Sequence, residues 1–212
     1  MGGKMPHSEA NMYCLRIGVT GHRRLDDPAA VEALVKRAID AEAGKLFPAK
    51  LRKNIEDGRQ ARTAPISYCV VSPLAEGADR VVARAVLESP DARLDAVIPL
   101  ALEDYLEDFA TGESRQEFAE LLSRCGEPVF LRTRLLRDER QDAGGQAELR
   151  RDAYAQAGRY VVDHCDVLIA VWDGEPTGGR GGTAEIVEYA REQNRPVLRV
   201  WGGSYEVLSL YP

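Results

Sequence analysis

The sequence predicts an α/β protein with three layers: a parallel sheet covered by helices on both faces. Short apolar runs alternate with helix-forming segments along the chain, which is the pattern of successive βα units. One of these runs, Val167–Trp172, is continuously apolar and has an aspartate at each end. Such a run is typical of a strand that is buried on both faces, as the strands of parallel sheets are.

Six strands are predicted, and helices are predicted between them. The strands cover Tyr13–Val19, Ile66–Val71, Leu94–Leu100, Pro128–Leu131, Val167–Trp172 and Pro196–Trp201, and the last is expected to close the sheet. The first helix is predicted to begin at Asp26–Pro28. The other helices are predicted to cover Val81–Leu87, Ser114–Arg124, Arg150–Cys165 and Ala184–Arg191. Segment 44–64 is predicted to be a helix end and a variable connection. Segment 132–148 is charged and contains Gly144-Gly145, which favours a mobile surface loop near the site.

Composition and charge restrict the possible functions. The 212 residues predict one domain over residues 12–212, preceded by a disordered leader over residues 1–11. A net charge of −6 argues against nucleic-acid binding, which requires a basic face. No segment approaches the roughly 20 apolar residues that span a bilayer, and the leader lacks the apolar core of a signal peptide. We therefore expect a cytoplasmic protein with no membrane partner.

Three loops that follow predicted strands carry the residues most suited to a ligand. They are Thr20–Arg24, Ser72–Arg80 and Asp173–Thr183. The carboxyl ends of parallel strands meet at one edge of a sheet, and ligands of such sheets bind there, where the strand order reverses. We therefore expect the three loops to converge on a single site.

The third loop has the composition of an anion site. Gly178, Gly179, Gly181 and Gly182 allow sharp bends and close backbone approach, and Thr183 is expected to be the N-cap of the following helix. A helix N-terminus behind such a loop presents free N–H groups to a phosphate. The loop lacks a Walker A lysine, and the first βα unit lacks G-x-G-x-x-G. The sequence therefore predicts a nucleotide-type site that is neither a Walker A loop nor a dinucleotide fingerprint.

Three motifs occur in a characteristic order: TGHR after the first strand, SPLAEGADR after the second, and CDVLIAVWDG followed by GGRGGTAE. Together they resemble the SLOG superfamily of Rossmann-like domains, over roughly Cys14 to Val200. This group includes the LOG (lysine-decarboxylase-like) phosphoribohydrolases, the DprA Rossmann domain and nucleotide-sensing domains. The chain also looks like nucleoside deoxyribosyltransferases. The resemblance implies a Rossmann-like sheet of five or six strands and a pocket for a nucleotide or a nucleotide derivative.

Members of this group either cleave or transfer an N-glycosidic bond, or bind a nucleotide and signal. The phosphoribohydrolase signature P-G-G-x-G-T-x-x-E has its glutamate three positions after the threonine, where this chain has Ile186; Glu185 comes one residue earlier. Adjacent helix positions differ by about 100° in direction, so the two side chains do not point into the same space. Nucleotide binding is therefore the first expectation, and N-glycosidic hydrolysis or transfer is the alternative.

The candidate site residues come from the three loops and from the first turn of the helix after the third. Glu185 and Asp79 are the candidate catalytic carboxylates; alternatively, Glu185 complements the helix dipole, and Asp79 caps a helix or ties the loops together. Tyr154 and Trp172 are assigned to the core rather than to base stacking. No metal ligand and no cofactor is predicted, and a homo-oligomer is expected. The candidate ligand-binding residues are Thr20, Gly21, His22, Arg23, Ser72, Gly77, Asp173, Gly174, Gly179, Gly181, Gly182 and Thr183.

Overall fold

A computed structural model describes residues 13–46, 66–131, 143–176 and 179–208. Within these residues the strands are β1 (Tyr13–Gly21), β2 (Ile66–Ser72), β3 (Arg93–Ile98), β4 (Val129–Phe130), β5 (Val167–Val171), β6 (Val197–Trp201) and β7 (Ser204–Leu208). The helices are α1 (Pro28–Leu46), α2 (Ala78–Leu87), α3 (Leu102–Leu106), α4 (Gly112–Leu122), α5 (Ala143–Asp163) and α6 (Thr183–Glu192). The predicted leader, most of segment 44–64 and residues 132–142 lie outside the described residues.

The described strands form one sheet in the order β4-β3-β2-β1-β5-β6-β7. Every neighbouring pair is parallel except β6 and β7. The chain moves outward from β1 to β4 and then returns to the other side of β1 with β5, so the strand order reverses between β1 and β5. The carboxyl ends of these two strands lie side by side, with Gly21 opposite Val171. This is the position at which open α/β sheets bind ligands.

Two apolar clusters, one on each face of the sheet, confirm the predicted three-layer α/β fold. On one face, β1 packs Leu15 and Ile17 with α1 and α2. On the other, Val161 of α5 and Ile186 of α6 pack with residues of β5. Gly18 permits the approach of α5, because a Cβ there would lie 2.8 Å from the Val161 side chain. In the described parts of the chain, no helix is both long enough and apolar enough to cross a membrane.

Strand β7 corrects the prediction that Pro196–Trp201 closes the sheet, and it brings the number of described strands to seven rather than five or six. It pairs antiparallel with β6 across the two-residue turn Gly202-Gly203, in which both glycines have positive φ (59° and 77°). A Gly-Gly pair between two strands is a hairpin signal, so the sequence did contain the evidence for β7.

The predicted loop over 132–148 is wrong for its last six residues, which form the first turns of α5. Gly144-Gly145 favours a loop in the sequence, because each glycine costs about 1 kcal/mol in a helix interior. Tertiary contacts of the same helix outweigh that preference. Leu149 packs against the core, and Arg150 pairs with Glu107 and Asp108 at 2.9 and 2.8 Å.

A buried arginine, Arg80, ties the loop after β2 to α4. Its side chain is 2% exposed. Its Nε donates to the carbonyl of Leu74 at 3.1 Å, and its Nη1 donates to the Ser114 carbonyl and to Glu117, both at 2.9 Å. The guanidinium also lies 4.5 Å from the ring centroid of Phe109. Because this one side chain links the loop after β2 to Phe109 and to α4, it fixes the loop that leads to Asp79.

We predict that Arg80→Ala lowers the free energy of unfolding by about 3–5 kcal/mol, because it leaves buried acceptors without their partner. Arg84→Ala is the matched control. Arg84 pairs with Glu117 and, at 3.0 Å, with Glu32, but its side chain is 35% exposed, so its loss should cost about 1 kcal/mol or less. Urea unfolding of both variants measures the difference. Equal destabilisation by the two changes would contradict the role assigned to Arg80.

Candidate functional site

The turn after β1 is held between β5 and α2. The backbone N–H of His22 donates to the Val171 carbonyl, and the His22 carbonyl accepts from the Ala78 N–H, both at 3.0 Å. Gly77 has φ +79°, and a Cβ there would collide with the carbonyl oxygens of His22 and Arg23. Glycine at position 77 is therefore required by both its conformation and the close approach of the two loops.

The loop after β2 buries two polar side chains. Ser72 is fully buried, and its hydroxyl accepts from the Leu74 N–H at 3.0 Å. Asp79 is 6% exposed and accepts from the Ala75 N–H at 3.1 Å. Burial raises the pKa of Asp79 to about 7, although the Ala75 N–H and the Arg23 guanidinium favour its charged form. The residue therefore ties the start of α2 to the loop that precedes it, and titrates near neutral pH.

The glycine-rich loop ends at the N-terminus of α6. The N-cap is Gly182, so the prediction that Thr183 caps the helix is wrong, and Thr183 is the first helical residue. Glu185 accepts from the Gly181 N–H at 2.7 Å and pairs with Arg159 at 3.0 Å. This arrangement resembles a capping box, in which a glutamate in the first turn reaches back to a free N–H before the helix. It explains why the threonine is not needed as a cap.

Asp173 organises the corner after β5. Its Oδ1 accepts from the Glu175 N–H at 2.9 Å, and its Oδ2 lies 3.3 Å from Nε2 of His22. The Glu175 N–H and the neighbouring His22 lower the pKa of Asp173. Arg199 donates to the Asp173 carbonyl at 3.1 Å, and Gly174, with φ +97°, turns the chain beside that guanidinium. Asp173 and Gly174 therefore support the corner.

The three predicted loops converge on one cavity of about 350 Å³ at the carboxyl ends of β1 and β5. Eight of the fourteen candidate residues line it: Thr20, Gly21, His22, Arg23, Asp79, Gly181, Gly182 and Thr183. Six do not line it: Ser72, Gly77, Asp173, Gly174, Gly179 and Glu185. Ile186 does line it. The expectation that positions 185 and 186 point into different space is thus confirmed.

Helix α5 supplies cavity residues that the sequence analysis did not assign to the site. Arg151, Tyr154 and Gly158 line the cavity, together with Arg180 from the glycine-rich loop. The spacing of three and four residues along α5 places the first three on one helix face. That periodicity was visible in the sequence, but it does not reveal which neighbour the face contacts. Tyr154 was assigned to the core, and it packs there while also lining the cavity.

The cavity is locally basic, although the chain as a whole is acidic. Arg23, Arg151 and Arg180 line it, against a single carboxylate, Asp79. Arg180 pairs with Asp152 at 3.0 Å. Arg23 lies 5.0 Å from the ring centroid of Tyr154 and, among the described residues, makes no hydrogen bond or ion pair. Its guanidinium is therefore available to an anion.

Comparison with known proteins gives no family for this chain. No protein-family model matches it, and no curated protein matches it.

We predict a pH-dependent contribution of Asp79 to stability. Its pKa is raised on folding, from an ordinary value of 3.8 to about 7, so its contribution is fully present below pH 4 and is lost as the pH rises through 7. Asp79→Asn should therefore gain stability relative to the wild type between pH 4 and 7, by an amount on the order of 2–4 kcal/mol. Urea unfolding across this pH range measures the gain.

Glu76→Gln is the control for this measurement, because hydrogen bonds from Ser114 and the Ala110 N–H lower the pKa of Glu76. The carboxylate of Glu76 stabilises the fold above its ordinary pKa, and this stabilisation is lost as the pH falls. Glu76→Gln should therefore remove a pH dependence of stability opposite in sign to that of Asp79. A stability difference between wild type and Asp79→Asn that does not vary with pH would contradict the raised pKa.

Proposed function

We propose that the protein binds a nucleotide or a nucleotide-derived small molecule in the cavity at the carboxyl ends of β1 and β5. The observation that carries this proposal is the convergence of Arg23, Arg151 and Arg180 on the same cavity as the N-terminus of α6. Guanidinium groups bind phosphate oxygens in pairs, and helix N-termini present free N–H groups to anions. A phosphate bound there would meet both kinds of donor.

The donors at the helix N-terminus can be assigned individually. The Gly181 N–H is bonded to Glu185, and the Gly182 N–H is bonded to the Gly179 carbonyl at 3.0 Å. The first N–H groups within a helix have no acceptor inside it, so those of Thr183 and Ala184 remain for a ligand. The Thr183 hydroxyl, also at the cavity, adds a further donor. These groups suit one phosphate.

The rest of the cavity suits the non-phosphate part of a small ligand. The half-buried Tyr154 contributes aromatic surface, and its ring packs against the fully buried Tyr105 with a centroid distance of 6.3 Å. The volume of about 350 Å³ lies within the range of small-molecule sites. Buried aromatic surface accepts a sugar or base face, whereas a free inorganic anion would not need it. The similarity of the three loop motifs to the SLOG superfamily supports the same class of ligand.

The direct test is calorimetric titration with a panel of adenine and guanine nucleotides, cyclic nucleotides and ADP-ribose derivatives. Arg23→Ala should weaken the binding of the best ligand by about 10- to 100-fold, the range expected for a lost hydrogen bond to a charged group. Arg24→Ala is the matched control, because Arg24 is the next residue and is also exposed, but does not line the cavity. Absence of saturable binding by any member of the panel would contradict the proposal.

A second candidate function is hydrolysis or transfer of an N-glycosidic bond in the same cavity. Asp79 favours it, since a cavity-lining carboxylic acid with a pKa of about 7 is suited to general acid–base catalysis. Glu185 is less suited to this role than Asp79, because its carboxylate is bonded to the Gly181 N–H and to Arg159. The geometry therefore favours Asp79 as the catalytic group.

For the catalytic alternative we predict release of free base from a bound nucleotide, detected by mass spectrometry. Asp79→Asn should lower the release rate by about 100-fold or more while leaving binding largely unchanged, because it removes the acid but retains an acceptor for the Ala75 N–H. Glu185→Gln should retain most of the release. Recovery of every bound nucleotide intact would exclude the catalytic function and leave nucleotide binding as the proposed function.

A further inference from the structure

A second, larger cavity lies outside the candidate site. It is an open groove of about 650 Å³ between the first turns of α1 and the hairpin formed by β6 and β7. Its walls are mainly apolar, with Leu25, Ala30, Ala33 and Leu34 on one side and Trp201 on the other. Trp201 is 37% exposed, which is unusual for so large an apolar side chain. The candidate nucleotide site does not use this groove.

Charged side chains of opposite sign mark the two ends of the groove. Asp26 lies just before the N-terminus of α1, and Arg37 lies on its third turn. At 1.5 Å per residue, the distance along the helix between these positions is roughly 15 Å. Both side chains are exposed, and neither makes a hydrogen bond or an ion pair with any residue that the structure describes. The groove therefore has an apolar centre with two carboxylates at one end and Arg37 at the other. Asp27 accepts from the Ala30 N–H at 2.9 Å, whereas Asp26 and Arg37 have no partner among the described residues.

We propose that this groove is the interface between two copies of the chain, related by a two-fold axis. Such an axis brings the same surface of both copies together, so an interface of this kind must be self-complementary. Antiparallel packing of α1 against its copy pairs Asp26 of one protomer with Arg37 of its partner, and does so twice. The small side chains Ala30 and Ala33 permit the helices to approach, and Trp201 is buried at the edge of the contact.

The proposed interface adjoins the candidate nucleotide site. The Trp201 ring lies edge-on to the His22 ring, with a centroid distance of 5.0 Å. A partner that covers Trp201 therefore restricts a side chain that contacts the turn after β1. The interface does not depend on the proposed ligand, so failure of one proposal leaves the other standing.

The test is sedimentation velocity of the full-length protein over a range of concentrations, with a reversible monomer–dimer equilibrium as the expected result. Ala33→Glu should raise the dimer dissociation constant by at least about tenfold, since it places a charge at the apolar centre of the groove. Ala41→Glu is the matched control, because Ala41 is an exposed alanine of the same helix outside the groove.

Charge reversal tests the orientation of the two copies. Asp26→Lys and Arg37→Glu should each weaken the dimer by about tenfold or more, because each places like charges opposite one another twice. The double variant Asp26→Lys/Arg37→Glu restores both pairs and should return the dissociation constant close to that of the wild type. A wild type that stays monomeric, a dimer unaffected by Ala33→Glu, or a double variant as weak as the single ones would each overturn the proposal.

Discussion

The hydrogen bonds made by the backbone of His22 are the constraint on which the candidate site depends. They join the turn after β1 to the end of β5 on one side and to the start of α2 on the other. Gly21 and Gly77 make this possible. A Cβ at Gly21 would collide with Ala78 of α2 and Val171 of β5, and a Cβ at Gly77 would collide with the carbonyl oxygens of the turn. The loops after β1, β2 and β5 consequently share one corner, and the basic cavity lies directly over it.

Charge is distributed unevenly around that corner, and the distribution has a chemical consequence. Asp79 is the only carboxylate among the described residues that line the cavity, where Arg23, Arg151 and Arg180 also lie. Burial already disfavours its charged form, and the Ala75 N–H and the Arg23 guanidinium only partly compensate. An anion that binds Arg23 weakens that compensation and further raises the pKa of Asp79. Binding of a phosphate near pH 7 should therefore be accompanied by uptake of a proton.

Most of the fold could be predicted from the sequence, because its signals are local. Apolar runs such as Val167–Trp172 locate the strands, and the reversal of strand order then brings the loops to one edge. The contribution of α5 could not be predicted in the same way. Arg151 and Tyr154 reach the cavity only because α5 packs across the end of β1, and such a long-range contact leaves no local signal. The start of α5 was missed because packing outweighed the glycine preference.

The position of Glu185 bears on the choice between the two proposed functions. Glu185, in the first turn of α6, turns back to the Gly181 N–H and closes the glycine-rich loop from outside the cavity. The next residue faces the cavity, and it is the buried isoleucine Ile186. A phosphoribohydrolase-type signature would have its glutamate at that position. In the proposed site, the donors assigned to a phosphate therefore lie beside an apolar side chain, at the position where that signature has its carboxylate. This difference favours recognition of an intact nucleotide over cleavage of its glycosidic bond by that route.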